Sequence, residues 1–257
     1  MSITQFQNAI ELLDHAFLTY KDMPAYTCLG ATLSFREVDE LSAQFASYLQ
    51  RHTNLKPGDR IAIQLPNILQ YPIVLYGALR AGLIIVNTNP LYTSREIAHQ
   101  LNDSGAKVLV VLANVAAEAA EIVDQTQVEQ VLVTELGDLM PWPKRSLVNF
   151  VVKHVKKMVP AFSFRHQVAF RDALALGTSL PYEKVSVQND DLIALQYTGG
   201  TTGVAKGAML SHNNICSNIF QTLQHLHPIL SAEAEDCLLY TSPSPRDLST
   251  SRMPSSA

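Results

Sequence analysis

The chain has 257 residues, 47% of them apolar and 16% charged, so it can bury a sizeable core and does not have the composition of a disordered polymer. Its net charge of −4, from 19 Lys and Arg against 23 Asp and Glu, argues against a general nucleic-acid binder, which would be basic. Three dispersed cysteines, Cys28, Cys216 and Cys237, lack C-x-x-C spacing, which points to a reducing compartment and away from a disulfide framework or a zinc site.

Residues 1–14 are polar, carry Glu11 and Asp14 and have no basic leader, so no signal peptide is expected. Residues 25–35 read as a hairpin turning near Gly30. Ser34 and Glu37 have capping-box spacing, and the helix that follows puts Val38, Leu41, Phe45, Tyr48 and Leu49 on one face. The turn 55–59 delivers a buried strand at 60–65. A helix is expected over 69–80, with Pro72 tolerable in its first turn, then a strand at 83–86 after Gly82. The apolar run 73–86 is broken by Arg80 and Gly82 and falls short of the about 20 residues that cross a bilayer. Together these features lead to the expectation of a soluble, cytoplasmic protein.

Thr93 and Glu96 offer a second capping box for a helix reaching about residue 102. A strand at 107–112, a helix at 114–125 and a strand at 128–134 follow. Short β-branched strands alternating with helices imply an α/β fold, with parallel-sheet layers, right-handed crossovers and flanking helices. From 137 to 181 the alternation is lost. Between residues 144 and 171 stand Lys144, Arg145, Lys153, Lys156, Lys157, Arg165 and Arg171 without a single Asp or Glu. On a helical wheel Val148, Val151, Val152, Val155, Val159 and Phe162 share a face opposite Lys153, Lys156 and Lys157, with Phe150 the misfit. Two readings stay open: a basic amphipathic helix lying on an anionic membrane, and an ordinary surface helix packed on the domain. Trp142, between two prolines, is expected to pack within its loop rather than anchor an interface.

Residues 191–197 read as a buried strand that runs into Tyr197-Thr198-Gly199-Gly200-Thr201-Thr202-Gly203-Val204-Ala205-Lys206-Gly207. Three glycines in five positions permit positive φ and close backbone approach, so that consecutive amides can converge on an anion. Thr198, Thr201 and Thr202 add hydroxyls, and Lys206 adds a mobile cation for a terminal phosphate. The whole stretch is the candidate phosphate site, with a returning strand expected from 207. It is not a Walker A loop, because Lys206 comes three residues after Gly203 and no helix follows directly. Nor is it a dinucleotide fingerprint, which lacks the threonines and the lysine. A glycine turn without function is the bland alternative. His212 is expected to be structural or peripheral, with Ser211 capping the next helix, and His225 and His227 to be solvated rather than metal-binding.

This loop resembles the nucleotide-binding signature of the adenylate-forming (AMP-binding) superfamily of acyl-CoA synthetases, luciferases and peptide-synthetase adenylation domains. It is most similar to the bacterial long-chain fatty-acid–CoA ligases, through residues 55–60, 81–92 and 100–106 and the basic segment 144–157. The resemblance covers 6–239. Gly199, where Ser or Thr is frequent, and Ala205, where Pro usually precedes the lysine, depart from the common pattern.

The resemblance implies that 1–239 is the incomplete N-terminal part of an AMP-binding domain. It implies ATP, Mg²⁺ and CoA as reactants with a long-chain fatty acid, proceeding through an acyl-adenylate. Thr201 and Lys206 would be catalytic, and Thr198 would stand at the metal-contacting position. It is compatible with a homodimer of the full-length protein and with peripheral attachment of 144–171 to the cytoplasmic face of the membrane. In the family the adenine-binding motif, the ribose-binding Asp, the hinge and a catalytic Lys come later, so this polypeptide alone is expected to be inactive. The alternatives are another adenylating enzyme or a non-catalytic nucleotide-binding module. Residues 240–257, with six Ser and three Pro, are expected to be a non-native disordered tail read from another frame; a native regulatory tail is the alternative.

Overall fold

The computed structural model describes residues 6, 8–198 and 205–226, and the chain divides into two compact units, Met1–Ile215 and Cys216–Ala257. The first unit begins with α1 (Ala9–Thr19), whose first turn is capped by the Asn8 carboxamide accepting from the Ile10 and Glu11 amides. β1 (Pro24–Cys28) and β2 (Ala31–Ser34) form the expected hairpin. Leu29 and Gly30 both have positive φ, which gives the two-residue turn the twist the strands need. α2 (Phe35–His52) starts at the anticipated box: Ser34 Oγ accepts from the Glu37 amide, and Glu37 accepts from the Ser34 amide at 2.7 Å. Val38, Phe45 and Leu49 are fully buried on its inner face.

Seven strands make the main sheet: β3 (Arg60–Gln64), β4 (Ile84–Asn87), β5 (Val108–Leu112), β6 (Gln130–Thr134), β7 (Gln167–Ala169), β8 (Leu192–Thr198) and β9 (Lys206–Ser211). Their order is β7-β6-β5-β3-β4-β8-β9, parallel throughout except that β9 returns antiparallel to β8. α3 (Gln70–Arg80) links β3 to β4, and α4 (Ser94–Ser104) links β4 back past β3 to β5. Crossovers of one hand running in opposite directions place these helices on opposite faces. Under α4 and α5 (Ala116–Ala120) lies one apolar cluster containing Ala62, Val86, Leu109, Val111, Val131 and Val133 of the sheet with Ile97, Leu101, Ala116 and Ala119. Alternate strand residues Ile61, Ile63, Ile85, Val110 and Leu132, all essentially unexposed, face the other way.

Three local expectations need correction. The helix anticipated over 114–125 is broken into a 3₁₀ turn at Ala113–Val115, the short α5 and a second 3₁₀ turn at Val123–Gln125. Val115, Ile122 and Val123 flank the alanines, and β-branched side chains favour helix less. The basic helix is shorter than the wheel drawn for it. α6 (Lys144–Phe150) runs on into a π turn at Val151–Val155, and the chain then closes through Lys157 at φ 52°, with the Met158 amide bonded to the Val152 carbonyl. Val159 and Phe162 lie beyond that stop and pack on the central cluster, so they do not belong to the helix face. Trp142 is 76% exposed and does not pack within its loop.

The strand–helix alternation also continues where it looked lost. β7 adds an edge strand, and α7 (Phe170–Gly177) folds back against α2. Among the described residues no helix is long and apolar enough to cross a membrane.

Candidate functional site

The parallel strands end on a common edge at Gln64, Asn87, Leu112 and Thr134, and β8 brings Thr198 to the same edge. In open α/β sheets this carboxyl edge is where ligands bind. The candidate loop therefore leaves the sheet on the side suited to a ligand. Gly199, Gly200, Thr201, Thr202, Gly203 and Val204 lie outside the described residues. The structure fixes the two stems, Tyr197–Thr198 and Ala205–Gly207.

In the β8–β9 ladder Thr198 faces Lys206 and Tyr197 faces Gly207. Directly opposed residues project from the same face of a sheet, so the Thr198 and Lys206 side chains leave the ladder on one face, and both residues are exposed. Tyr197 points to the opposite face. It is 7% exposed, belongs to the cluster beneath α4, and donates its hydroxyl to Asp103 at 2.6 Å. Burial first, and then the neighbouring Asp103 carboxylate, push the phenol well above its ordinary range. Its ring lies over Gly207, where an added Cβ would sit 3.0 Å from ring carbons, so a side chain there would displace the tyrosine. The Tyr197 hydroxyl is thus turned to the face opposite Thr198 and Lys206. Ala205 packs on the same cluster, and its carbonyl lies 3.0 Å from His99 Nε2.

Sequence reasoning gave no role to His99 or Asp103. The available signal was their i, i+4 spacing on α4, the helix that opens on the Thr93–Glu96 capping box and closes on Gly105 in the left-handed conformation. The three stretches that carry the family resemblance are neighbours in space. The Gly58 amide donates to the Gly82 carbonyl at 2.8 Å, Arg60 Nε to the Ser104 carbonyl at 2.7 Å, and Gln100 Nε2 to the Asn87 carbonyl at 2.8 Å. Asn87 in turn accepts from the Tyr71 hydroxyl and donates to Gln196, tying the end of β4 to β8.

His212 opens α8 (His212–Leu226), with Ser211 Oγ accepting from the Asn214 amide as the helix cap. The imidazole is 3% exposed, Nδ1 has no hydrogen-bond partner, and burial lowers its pKa against a smaller opposing effect of Asp191. His225 is exposed and His227 lies outside the described residues. Among the described residues no group of three or more His, Cys, Asp or Glu could hold a metal. A cavity of about 400 Å³ opens among 51–55, Glu129, Gln130 and His166, at the amino ends of β5 and β6 and away from the loop.

The family model described as AMP-binding enzyme matches residues 13–251. The long-chain-fatty-acid–CoA ligase of Salmonella typhimurium is 47% identical over 226 residues, which is 88% of this chain and 40% of the relative. That of Haemophilus influenzae is 47% identical over 230 residues, 90% of this chain and 41% of the relative. The chain therefore spans about two fifths of the length of these curated relatives. Among solved structures, a long-chain-fatty-acid-CoA ligase from Archaeoglobus fulgidus superposes with a TM-score of 0.65 at 24% identity, covering 85% of this chain and 39% of that one, a likeness of fold.

Proposed function

Because the chain belongs to the AMP-binding enzyme family, we propose that it forms the phosphate-cradling part of an AMP-forming long-chain fatty-acid–CoA ligase. The observation that carries the reading is the pairing of Thr198 with Lys206 at the mouth of a Gly/Thr-rich loop on the carboxyl edge of the sheet. The substrate class follows from relatives that bear that name at 47% identity.

In this reading the fatty carboxylate attacks the α-phosphorus of ATP, pyrophosphate leaves, and the CoA thiol then displaces AMP from the acyl-adenylate. The leaving pyrophosphate gathers negative charge, and charge stabilisation aimed at it lowers the barrier. Lys206 supplies a full positive charge there, and Thr201 and Thr202 supply hydroxyl donors. The Thr198 hydroxyl would contact magnesium, which when bound neutralises charge on the phosphates. The residues that grip adenine and ribose are expected elsewhere in a whole ligase, so the 257-residue chain should bind magnesium pyrophosphate yet not catalyse fatty-acid-dependent ATP–pyrophosphate exchange. Lys206→Ala should weaken that binding about tenfold or more, the loss of one charge-assisted contact. Exchange by the 257-residue chain would refute the inactivity, and a Lys206→Ala variant that binds like the parent would refute the cradle.

A second surface favours peripheral attachment to an anionic membrane. Trp142, Leu147, Phe150, Val155 and Met158 are each more than half exposed, and they alternate with Lys144, Arg145, Lys153, Lys156 and Lys157. Exposed aromatic and aliphatic groups set among lysines suit the interface of a lipid headgroup layer. A homodimer of the full-length protein belongs to the same proposal and is read from the family alone.

A further inference from the structure

Helix α6 does not stand alone at its surface. Lys144, its first residue, donates its ammonium to the carbonyl of Leu29 at 2.5 Å, and a Cβ on Gly30 would lie 3.2 Å from the same nitrogen. The β1–β2 turn therefore sits directly against the start of α6. At that turn Leu29 has φ 49°, a conformation that aliphatic side chains rarely adopt and that Asn or Gly holds at less cost. The side chain is 57% exposed, so it returns little burial for that strain. Trp142 and Leu147, on either side of Lys144 in the chain, are 76% and 63% exposed.

Further contacts fix where this surface lies. The Gly137 amide donates to Asn149 Oδ1 at 2.7 Å, Lys153 lies 3.9 Å from Glu135, and Asn114 Nδ2 donates to the Met158 carbonyl at 3.0 Å. Asn114 and Glu135 come just after the ends of β5 and β6, so α6 and its continuation hang on the carboxyl edge of the sheet. Charge selects the partner. Lys153, Lys156 and Lys157 are exposed, and 144–171 holds no Asp or Glu. A protein surface of mixed charge gains little from that bias. An anionic headgroup layer meets the lysines with phosphate and the apolar groups with hydrocarbon.

We propose that the β1–β2 turn is the second contact of a lipid-docking surface, in which Leu29 enters an anionic bilayer beside Trp142 and Leu147 while Lys144 locks the turn to α6. The inference rests on the membrane reading above. It adds to that reading a second element and an orientation, with the carboxyl edge of the sheet towards the lipid. A lone amphipathic helix can roll about its axis on a bilayer, whereas contacts on separate elements hold the protein in one pose.

The test uses the 257-residue chain and lipid vesicles. Trp142 is its single tryptophan, so the emission reports the α6 side of the surface directly. On vesicles of phosphatidylcholine with phosphatidylglycerol the emission should shift to the blue and be quenched by brominated acyl chains, with neither change on phosphatidylcholine alone. Leu29→Trp in a Trp142→Phe background should show the same shift and quenching from the turn. Leu29→Asn, which suits the positive φ, should keep the thermal midpoint and lower partitioning onto the anionic vesicles about fivefold, the worth of part of one leucine side chain. Should Leu29→Asn fail to fold, the tryptophan at the turn alone decides. A tryptophan there that stays unshifted and unquenched, or Leu29→Asn that partitions like the parent, overturns the second contact, while quenching of Trp142 still upholds the membrane reading. A parent whose Trp142 is neither shifted nor quenched on anionic vesicles brings down both. A lipid-free dimer that Leu29→Asn disperses assigns the surface to a second copy of the chain and overturns the lipid partner.

Discussion

Arg80 shows how one side chain organises the region around α1, α2 and α3. Its guanidinium is 5% exposed, bonds to Asp14 at 3.1 Å, to Asp39 and to Ser42 Oγ at 2.9 Å, and lies 5.0 Å from the centre of the Phe17 ring. Burial works against its charge, but the Asp39 bond and neighbouring acids outweigh it and hold the pKa above the usual arginine value. Arg80→Ala removes the cation from Asp39 and one of two cations from Asp14, which also pairs with Lys184, and because both acids are partly exposed it should cost about 1.5–3 kcal/mol in urea denaturation. Arg80→Lys should recover only part of this, because an ammonium cannot reproduce the planar fork. His212 behaves in the opposite sense. Burial depresses its folded pKa below the ordinary 6.5, so as pH falls through that value the unfolded chain takes up the proton first. Its contribution to stability is complete above about pH 6.5 and is lost as pH drops towards the folded pKa. Chemical denaturation of His212→Gln between pH 7 and 5 should therefore show a shallower loss of stability than the parent.

At the scale of elements, α2 is clasped by two helices at positions that admit only glycine. A Cβ built on Gly177 of α7 would lie 1.9 Å from the Gln44 carbonyl, and one on Gly77 of α3 would lie 2.8 Å from the Ser42 carbonyl. Backbone atoms cannot swing aside as a side chain can, so Gly177→Ala should destabilise by about 2–4 kcal/mol, measured as a fall in the urea midpoint at unchanged slope. Neither demand could be read from the chain, since each depends on a residue from another element. The starts of α2 and α4 could be, because Ser34 with Glu37 and Thr93 with Glu96 complete their bonds within four residues. Helix α6 lies between these cases. Its apolar period continues past residue 155, but the chain turns at Lys157 and spends Val159 and Phe162 on the core. Periodicity alone does not register such a stop.

For the whole molecule, the sheet order decides what the segments mean. β8 lies beside β4 although more than 100 residues separate them, and only this placement brings the loop stems under α4 and within reach of His99 and Asp103. The basic segment is a matter of the same scale, because its exposed aromatic and lysine side chains act as one surface. Flotation on vesicles containing anionic lipid should be strong for the parent and nearly abolished for Lys153→Glu/Lys156→Glu/Lys157→Glu, each lysine near such a surface being worth about 1 kcal/mol. Equal flotation of the two proteins would remove the membrane reading.

The amino-acid sequence by itself determined the α/β class, the two capping boxes and the strand entering Tyr197. These rest on local periodicity, on hydrogen bonds between residues three apart, and on side-chain types in a short register. Only the tertiary structure decided that Tyr197 turns its hydroxyl to Asp103, that His99 meets Ala205, and that the basic segment turns at Lys157. Each of these depends on atoms brought together by burial across a twisted sheet, and sequence separation carries no information about that distance.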